Sequence, residues 1–345
     1  MKKLLAMFLS LTLILTSVAA LGAEFTDSTG RTVAVPDEIS RVAVSGPLAQ
    51  IVLFAIAPDM MVGISSAWDE GTADIIGQYY DLPLLGQLYG GRGEMNLEQI
   101  AAVAPDVIID VGEPKDTIVE DLDALTEQVG IPFVHVTMTT DTVPDAFRTL
   151  GELLGREEDA QVLADYCERA YARAIDIMEK VGEENKAKLL YCLGDNGLNV
   201  IARGSYHAEI IDLLADNLAV VDEPSSRGTG NETDMEQIML WNPDYIIFAP
   251  DSIGLSVADD PAWQSITAIA EGHYAVAPFG PYNWMGFPPS VQRYLGMIWM
   301  TKLLYPEFCD YDLYDETAQY YELFYHCELT RERFDELTAN ASFAG

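Results

Sequence analysis

Asn96-Leu97-Glu98-Gln99-Ile100, then Pro105-Asp106-Val107-Ile108-Ile109, returns 138 residues later as Asp234-Met235-Glu236-Gln237-Ile238, then Pro243-Asp244-Tyr245-Ile246-Ile247. The internal spacing is the same in both copies. Asn96 and Asp234 suit helix N-caps, and Gln99 and Gln237, three residues on, follow the pattern of a capping box. The Pro-Asp pair then stops the helix and opens an apolar strand, because proline disfavours helical backbone in the residue before it. Agreement over fourteen positions points to one helix-to-strand unit used twice, and so to two related lobes.

Outward from these copies, short apolar runs alternate with helical patterns, which predicts α/β units with a mostly parallel sheet. Residues 24–36, with Asp27-Ser28-Thr29-Gly30 at the turn, read as a hairpin. Strands are expected at 41–45, 61–64, 107–111 and 133–137, and helices at 49–57, 97–103 and 116–129. From Pro144 to Val181 the pattern is helical, interrupted at Gly151 and Gly155. Within it, 157–180 carries Leu163, Tyr166, Cys167, Ala170, Ala174 and Ile177 on one stripe, long for a globular helix. Alternation resumes with strands at 188–193, 199–201 and 245–248 and helices at 207–214 and 262–270. The expected division is a leader (1–23), an N-terminal α/β lobe (24–143), a connecting helical segment (144–182) and a C-terminal α/β lobe with terminal helices (183–345).

The chain has 345 residues, 49% apolar and 21% charged, enough to bury a sizeable core and too apolar for disorder. Its 19 Lys and Arg stand against 55 Asp and Glu, a net charge of −36 that would repel nucleic acid. Lys2 and Lys3 precede an apolar run from Leu4 to Leu21, and Ala19, Ala20, Gly22 and Ala23 close it, the order of a secretory leader. An uncleaved anchor is the alternative. No cysteine near residue 23 offers a lipid attachment site, and no later stretch reaches the ~18 apolar residues of a spanning helix. The mature chain is expected to be exported, at the periplasmic or extracellular face of the membrane, peripheral to it and monomeric. Cys309 and Cys327 form a candidate disulfide, with buried free thiols the alternative. Cys167 and Cys192 complete the set, and no CxxC pattern supports a zinc or redox site.

Phe25-Thr26-Asp27-Ser28-Thr29-Gly30-Arg31 with Val33 and Pro36, the segment 96–110 and the segment 234–248 together resemble solute-binding proteins of ABC importers for iron-siderophore, haem and cobalamin ligands. The likeness covers nearly the whole mature chain. It implies two Rossmann-like lobes joined by a single long backbone helix, with the ligand cleft between them. It also implies a partner, the ABC transporter permease, whose arginines meet one glutamate on each lobe. Glu98 and Glu236 hold equivalent first-turn positions, with Glu94 the alternative in the first lobe. As plain helix-end acids they would only stabilise the macrodipole.

In open α/β sheets, ligands sit beyond the carboxyl ends of the strands. In the first half the loops there carry Ser45, then Ser66 and Trp68, then Tyr89 and Arg92, then Lys115. In the second half they carry Asn196, Arg203 with Tyr206 and His207, Arg227, Asp251, and Tyr282-Asn283-Trp284. Only 17 basic residues lie outside the leader, yet Arg92, Lys115, Arg203 and Arg227 all fall in these loops, interleaved with aromatic residues. Arginine forks and flat rings suit an anionic ligand with apolar surface. A solvated arginine or a core aromatic is the alternative for any single member.

The four histidines, His135, His207, His273 and His326, are too scattered for a dedicated metal site, and no cofactor is expected. No GxSxG elbow, HExxH, P-loop or strand-following GxGxxG is present, so a binding protein is expected, an enzyme on the same scaffold being the alternative. A ferric siderophore is the first expected metal chelate, with haem or a corrinoid next. Molybdate or tungstate, or a nickel chelate, is the alternative, because Pro281-Tyr282-Asn283-Trp284 followed by Pro288-Pro289-Ser290 suggests a specialised subgroup.

Overall fold

The computed structural model describes residues 22–89 and 94–344, so all but the last two residues of the expected leader, and Arg92, lie outside the described residues. β1 (Ala23–Thr26) and β2 (Thr32–Val35) form the expected hairpin. The Asp27 carboxylate holds its turn by accepting from the Thr29 and Arg31 backbones and pairing with the Arg31 guanidinium at 3.0 Å. In the first lobe β3 (Val42–Val44) leads into α1 (Pro47–Ile56). A single turn, α2 (Ala73–Ile76), precedes α3 (Leu97–Val103). β4 (Val107–Gly112), α4 (Ile118–Val129) and β5 (Phe133–Thr137) complete a parallel sheet of order β3-β4-β5. The strand expected at 61–64 is reduced to isolated bridges, Val42 with Met61 and Ile64 with Leu84. Gly63, between them, has no side chain to pack.

α5 (Val143–Leu154) and α6 (Glu157–Val181) pack along each other. Gly155 separates them, capping α5 in the left-handed region at φ 64°. Gly151 does not break α5. A Cβ there would lie 2.5 Å from the Ala160 Cβ, so the glycine lets α6 approach closely. α6 runs 25 residues and buries Leu163, Tyr166, Cys167, Ala170, Ala174 and Ile177, the stripe that the sequence pattern marks.

The second lobe follows with β6 (Lys188–Leu193), β7 (Asn199–Val200), α7 (Glu209–Leu214), β8 (Asp216–Asn217) and β9 (Asn231–Glu232). α8 (Met235–Trp241), β10 (Tyr245–Phe248), the single turn α9 (Thr267–Ala270) and β11 (Tyr274–Val276) complete it. Its sheet order is β11-β10-β6-β7-β9, with β8 beside β6. The helix expected at 207–214 begins later, because Tyr206–Ala208 forms a 3-10 turn. The helix expected at 262–270 is divided between a 3-10 turn at Trp263–Ser265 and α9.

α10 (Gln292–Leu304), α11 (Leu313–Tyr325) and α12 (Arg331–Leu337) end the chain. α11 packs on α1 of the first lobe and on α10, so the terminal segment joins the two lobes. Tyr320, Tyr321, Phe324 and Tyr325 are buried in the main core with residues of α1, α6 and α10. Of the two readings of Cys309 and Cys327, a disulfide or free thiols, the structure has the free thiols. They flank the 13-residue α11. A helix of that length spans ~20 Å, far beyond the Cα separation that a disulfide tolerates. No helix among the described residues is long and apolar enough to cross a membrane.

Candidate functional site

The first-lobe side of the cleft begins where β3 ends. Ser45 is buried, and its hydroxyl donates to Asp110 Oδ1. Asp110 Oδ2 in turn lies 2.7 Å from His135 Nδ1, also buried. Gly46 then caps α1 with no side-chain acceptor for the first N–H groups, and a Cβ on Gly46 would face open space. The amino end of α1 is thus a free donor site with the positive end of the helix dipole behind it.

Gln50, fully buried on α1, organises the next loop. Its Oε1 accepts from Ser65 N at 2.8 Å, Ser65 Oγ at 2.9 Å and Ser66 N at 3.2 Å. Its Nε2 donates to the Ser66 carbonyl at 3.2 Å and across the cleft to Tyr282 Oη at 3.0 Å. The Trp68 ring packs 5.7 Å from the Tyr282 ring. Burial holds the Tyr282 phenol far above its ordinary pKa, so it stays a neutral hydroxyl.

At the other end of the cleft, Arg293, only 2% exposed, pairs with Glu209, donates to the Tyr206 carbonyl and reaches Thr140 Oγ1 at 3.2 Å. Its guanidinium lies 4.5 Å from the centre of the Tyr206 ring. Tyr206 Oη donates to the Met138 carbonyl at 2.8 Å, and Glu209 accepts from Thr140 N at 3.0 Å. Burial raises the Tyr206 phenol to about 12.

His207 stacks on Phe287 at 5.3 Å, and Phe287 stacks on Tyr191 at 5.4 Å. Burial first, then the positive charge of Arg293 and of Lys115, lowers the His207 imidazole to about 4, so it is neutral at neutral pH. Its Nδ1 is buried without a partner. The loop carrying Arg227 closes over this ring, with Gly228 beside it. Lys115 and Arg227 are exposed and make no ion pair among the described residues.

The structure therefore brings Lys115, Tyr206, His207 and the Arg227 loop to one end of the cleft, and Ser66, Trp68 and Tyr282 to another part of it. Other expected residues fall elsewhere. Trp284 is fully buried, its Nε1 turned to the Gly280 carbonyl at 3.4 Å, and presents no face to a ligand. Asn283 is buried too, donating to Tyr191 Oη at 2.7 Å and accepting from Met285 N at 2.9 Å. Both belong to the core because the loop folds back on itself. Arg203 is neutralised locally by Asp216 and donates to the Asn217 carbonyl at 2.7 Å. Tyr89 donates to Asp121 Oδ2 at 2.7 Å. Asn196 and Asp251 are exposed loop residues with no side-chain hydrogen bond among the described residues. Glu98 and Glu236 are both exposed on first turns.

Sequence reading missed Gln50, Phe287 and Arg293. Two of them carried a signal. Gln50 interrupts an otherwise apolar helix and Arg293 precedes the apolar run of α10, and a polar group buried in such a place must find partners. Among the described residues no group of three His, Cys, Asp or Glu is arranged to hold a metal ion.

The family model for periplasmic binding proteins matches residues 52–279, and the chain belongs to that family, in its iron and B12 type. A solved ABC transporter solute-binding protein from Sulfurospirillum deleyianum is 27% identical, covers 92% of this chain and 99% of its own, and superposes with a TM-score of 0.83. The molybdate-binding protein MolA of Haemophilus influenzae is 24% identical over 87% of this chain and 90% of its own length. The Fe(3+)-citrate-binding protein YfmC of Bacillus subtilis is 25% identical over 69% of this chain and 76% of its own. The chain is thus an ABC-transporter periplasmic binding protein with a two-lobed α/β fold, and its relatives are binding proteins rather than enzymes.

Proposed function

We propose that this protein captures a compact metal-bearing anion, an oxyanion of the molybdate or tungstate class, and delivers it to an importer permease. One observation carries the choice of a compact ligand. The rings that would stack on a bulky chelate are already packed between the lobes or in the core: Trp68 against Tyr282, Tyr206 under Arg293, and Trp284 fully buried. The groups left to a ligand are polar or cationic, namely Lys115, Arg227, neutral His207 and the free amino end of α1. Such donors suit a small oxyanion. A ferric siderophore needs the broad apolar contact that these rings no longer offer. A ferric citrate chelate is the second reading, favoured by the relative named for it and by the fit of arginine to carboxylates.

Exposed Glu98 and Glu236 support docking of both lobes on the permease, since each projects from the same turn of a repeated unit. Isothermal titration with molybdate, tungstate, ferric citrate and a ferric catecholate tests the cargo. Molybdate or tungstate should bind at one site per chain. Lys115→Ala and Arg227→Ala should each weaken it tenfold or more, the effect of losing about 1.5–3 kcal/mol. Saturable binding of the catecholate alone would sink the proposal.

A further inference from the structure

None of the cleft loops reaches the groove between α6 and α11, where a cavity of about 190 Å3 lies. Tyr166, Arg169 and Arg173 line one wall, one helical turn apart on α6. Glu316 and Gln319, three residues apart on α11, line the other. Tyr166 is 2% exposed, and its hydroxyl has no hydrogen-bond partner. Burying a hydroxyl that way leaves its lost hydration uncompensated, which calls for an acceptor. Burial also holds this phenol far above its ordinary pKa, so it is a donor at any physiological pH.

The arginines differ. Arg173 is neutralised by two 2.6 Å bonds to Glu316 and lies 4.3 Å from the centre of the Tyr311 ring. Arg169 makes no ion pair among the described residues. In this groove, among the described residues, an exposed guanidinium without an ion pair thus lies beside a buried hydroxyl without a partner.

We propose that this cavity binds a small carboxylate, with Arg169 as its charge partner and Tyr166 and Gln319 as donors. The cavity has room for about six water-sized groups at ~30 Å3 each, the size of a short mono- or dicarboxylate. Carboxylate fits better than phosphate for two reasons. The Arg173–Glu316 pair shows the groove already holding a carboxylate in a flat two-bond fork. Among the lining residues two arginines stand against one glutamate, a balance that one carboxylate completes, whereas phosphate brings close to two negative charges. The proposal does not depend on the identity of the cleft cargo.

The test is thermal unfolding of the full chain in succinate, with phosphate and chloride at matched ionic strength. Succinate tenfold above its Kd should raise Tm by about 2 °C over chloride. Arg169→Ala should abolish the rise. Tyr166→Phe should melt no lower than the natural protein in chloride, because it removes an unsatisfied buried group, yet need at least tenfold more succinate for the same rise. A structural tyrosine would show the opposite pattern. Equal Tm in succinate and chloride, variants that respond like the natural protein, or phosphate matching succinate would each overturn the proposal.

Discussion

The two lobes are built on one unit and diverge where it meets the cleft. In the first lobe Asn96 accepts from Gln99 N at 3.0 Å, and in the second Asp234 accepts from Gln237 N at 2.8 Å. Both helices end in a left-handed residue, Ala104 at φ 42° and Asn242 at φ 47°. Asp106 N then donates to the Arg41 carbonyl at 2.7 Å, and Asp244 N to the Lys188 carbonyl at 3.0 Å, docking β4 and β10 into their sheets. Beyond that the copies part. In its strand the first lobe has Asp110, buried with Ser45 and His135, at the position where the second has Phe248, buried against Trp263. On the outer face Ala101 and Ala102 correspond to Met239 and Leu240, which are 52% and 79% exposed. Shared caps and strand starts make the fold twice. The differing residues along the strand give the first lobe a buried polar cluster where the second has a packed aromatic pair.

Substitutions at these two strand positions should show the largest effects. Phe248→Ala should cost about 4 kcal/mol in denaturant unfolding, as removal of a packed aromatic ring does. Asp110→Ala should cost about 3 kcal/mol for a different reason, since it leaves Ser45 Oγ and His135 Nδ1 buried without a partner. Adding Ser45→Ala and His135→Phe to Asp110→Ala should then recover part of that loss. Strict additivity would mean that the polar cluster is not a unit, and the contrast between the lobes would fail.

His207 sharpens the comparison through pH. Its folded pKa, about 4, lies below the unfolded value of about 6.5. Below 6.5 the unfolded state takes up the proton first, so stability is fully present above that pH and falls as the pH drops toward 4. The loss should approach about 3 kcal/mol, the equivalent of the shift. His207→Gln should flatten this part of the stability profile between pH 4 and 6.5. An unchanged slope would place the proton uptake on another group.

Smaller effects are expected at the lobe contact and on the outer face. Tyr282→Phe should cost about 1 kcal/mol, one hydrogen bond to Gln50. Glu98→Lys with Glu236→Lys should change stability by under ~1 kcal/mol, because both glutamates are exposed helix-end acids. Transport in membranes carrying the permease should nevertheless fall sharply, and each single reversal should give partial loss. Normal transport by the double variant would leave Glu98 and Glu236 as helix-end residues only.

What the sequence by itself determined is local. Caps, Pro-Asp breaks and the apolar stripe of α6 follow from spacing along the chain, because a cap or a buried face is made by residues three or four apart. The paired units, the long helix at 157–181 and the hairpin were therefore legible, and so was the collection of Lys115, Tyr206, His207 and the Arg227 loop at strand ends. What only the tertiary structure decided is which polar groups are left over. Trp68, Tyr282 and Arg203 read as ligand groups until their partners, Tyr79, Gln50 and Asp216, come into view from 11, 232 and 13 residues away. Arg293 found Glu209, and Asp110 found His135, only through packing of separate elements. A side chain's availability to a ligand is what remains after folding has satisfied its hydrogen bonds, and those partners come from elements that no local spacing brings together.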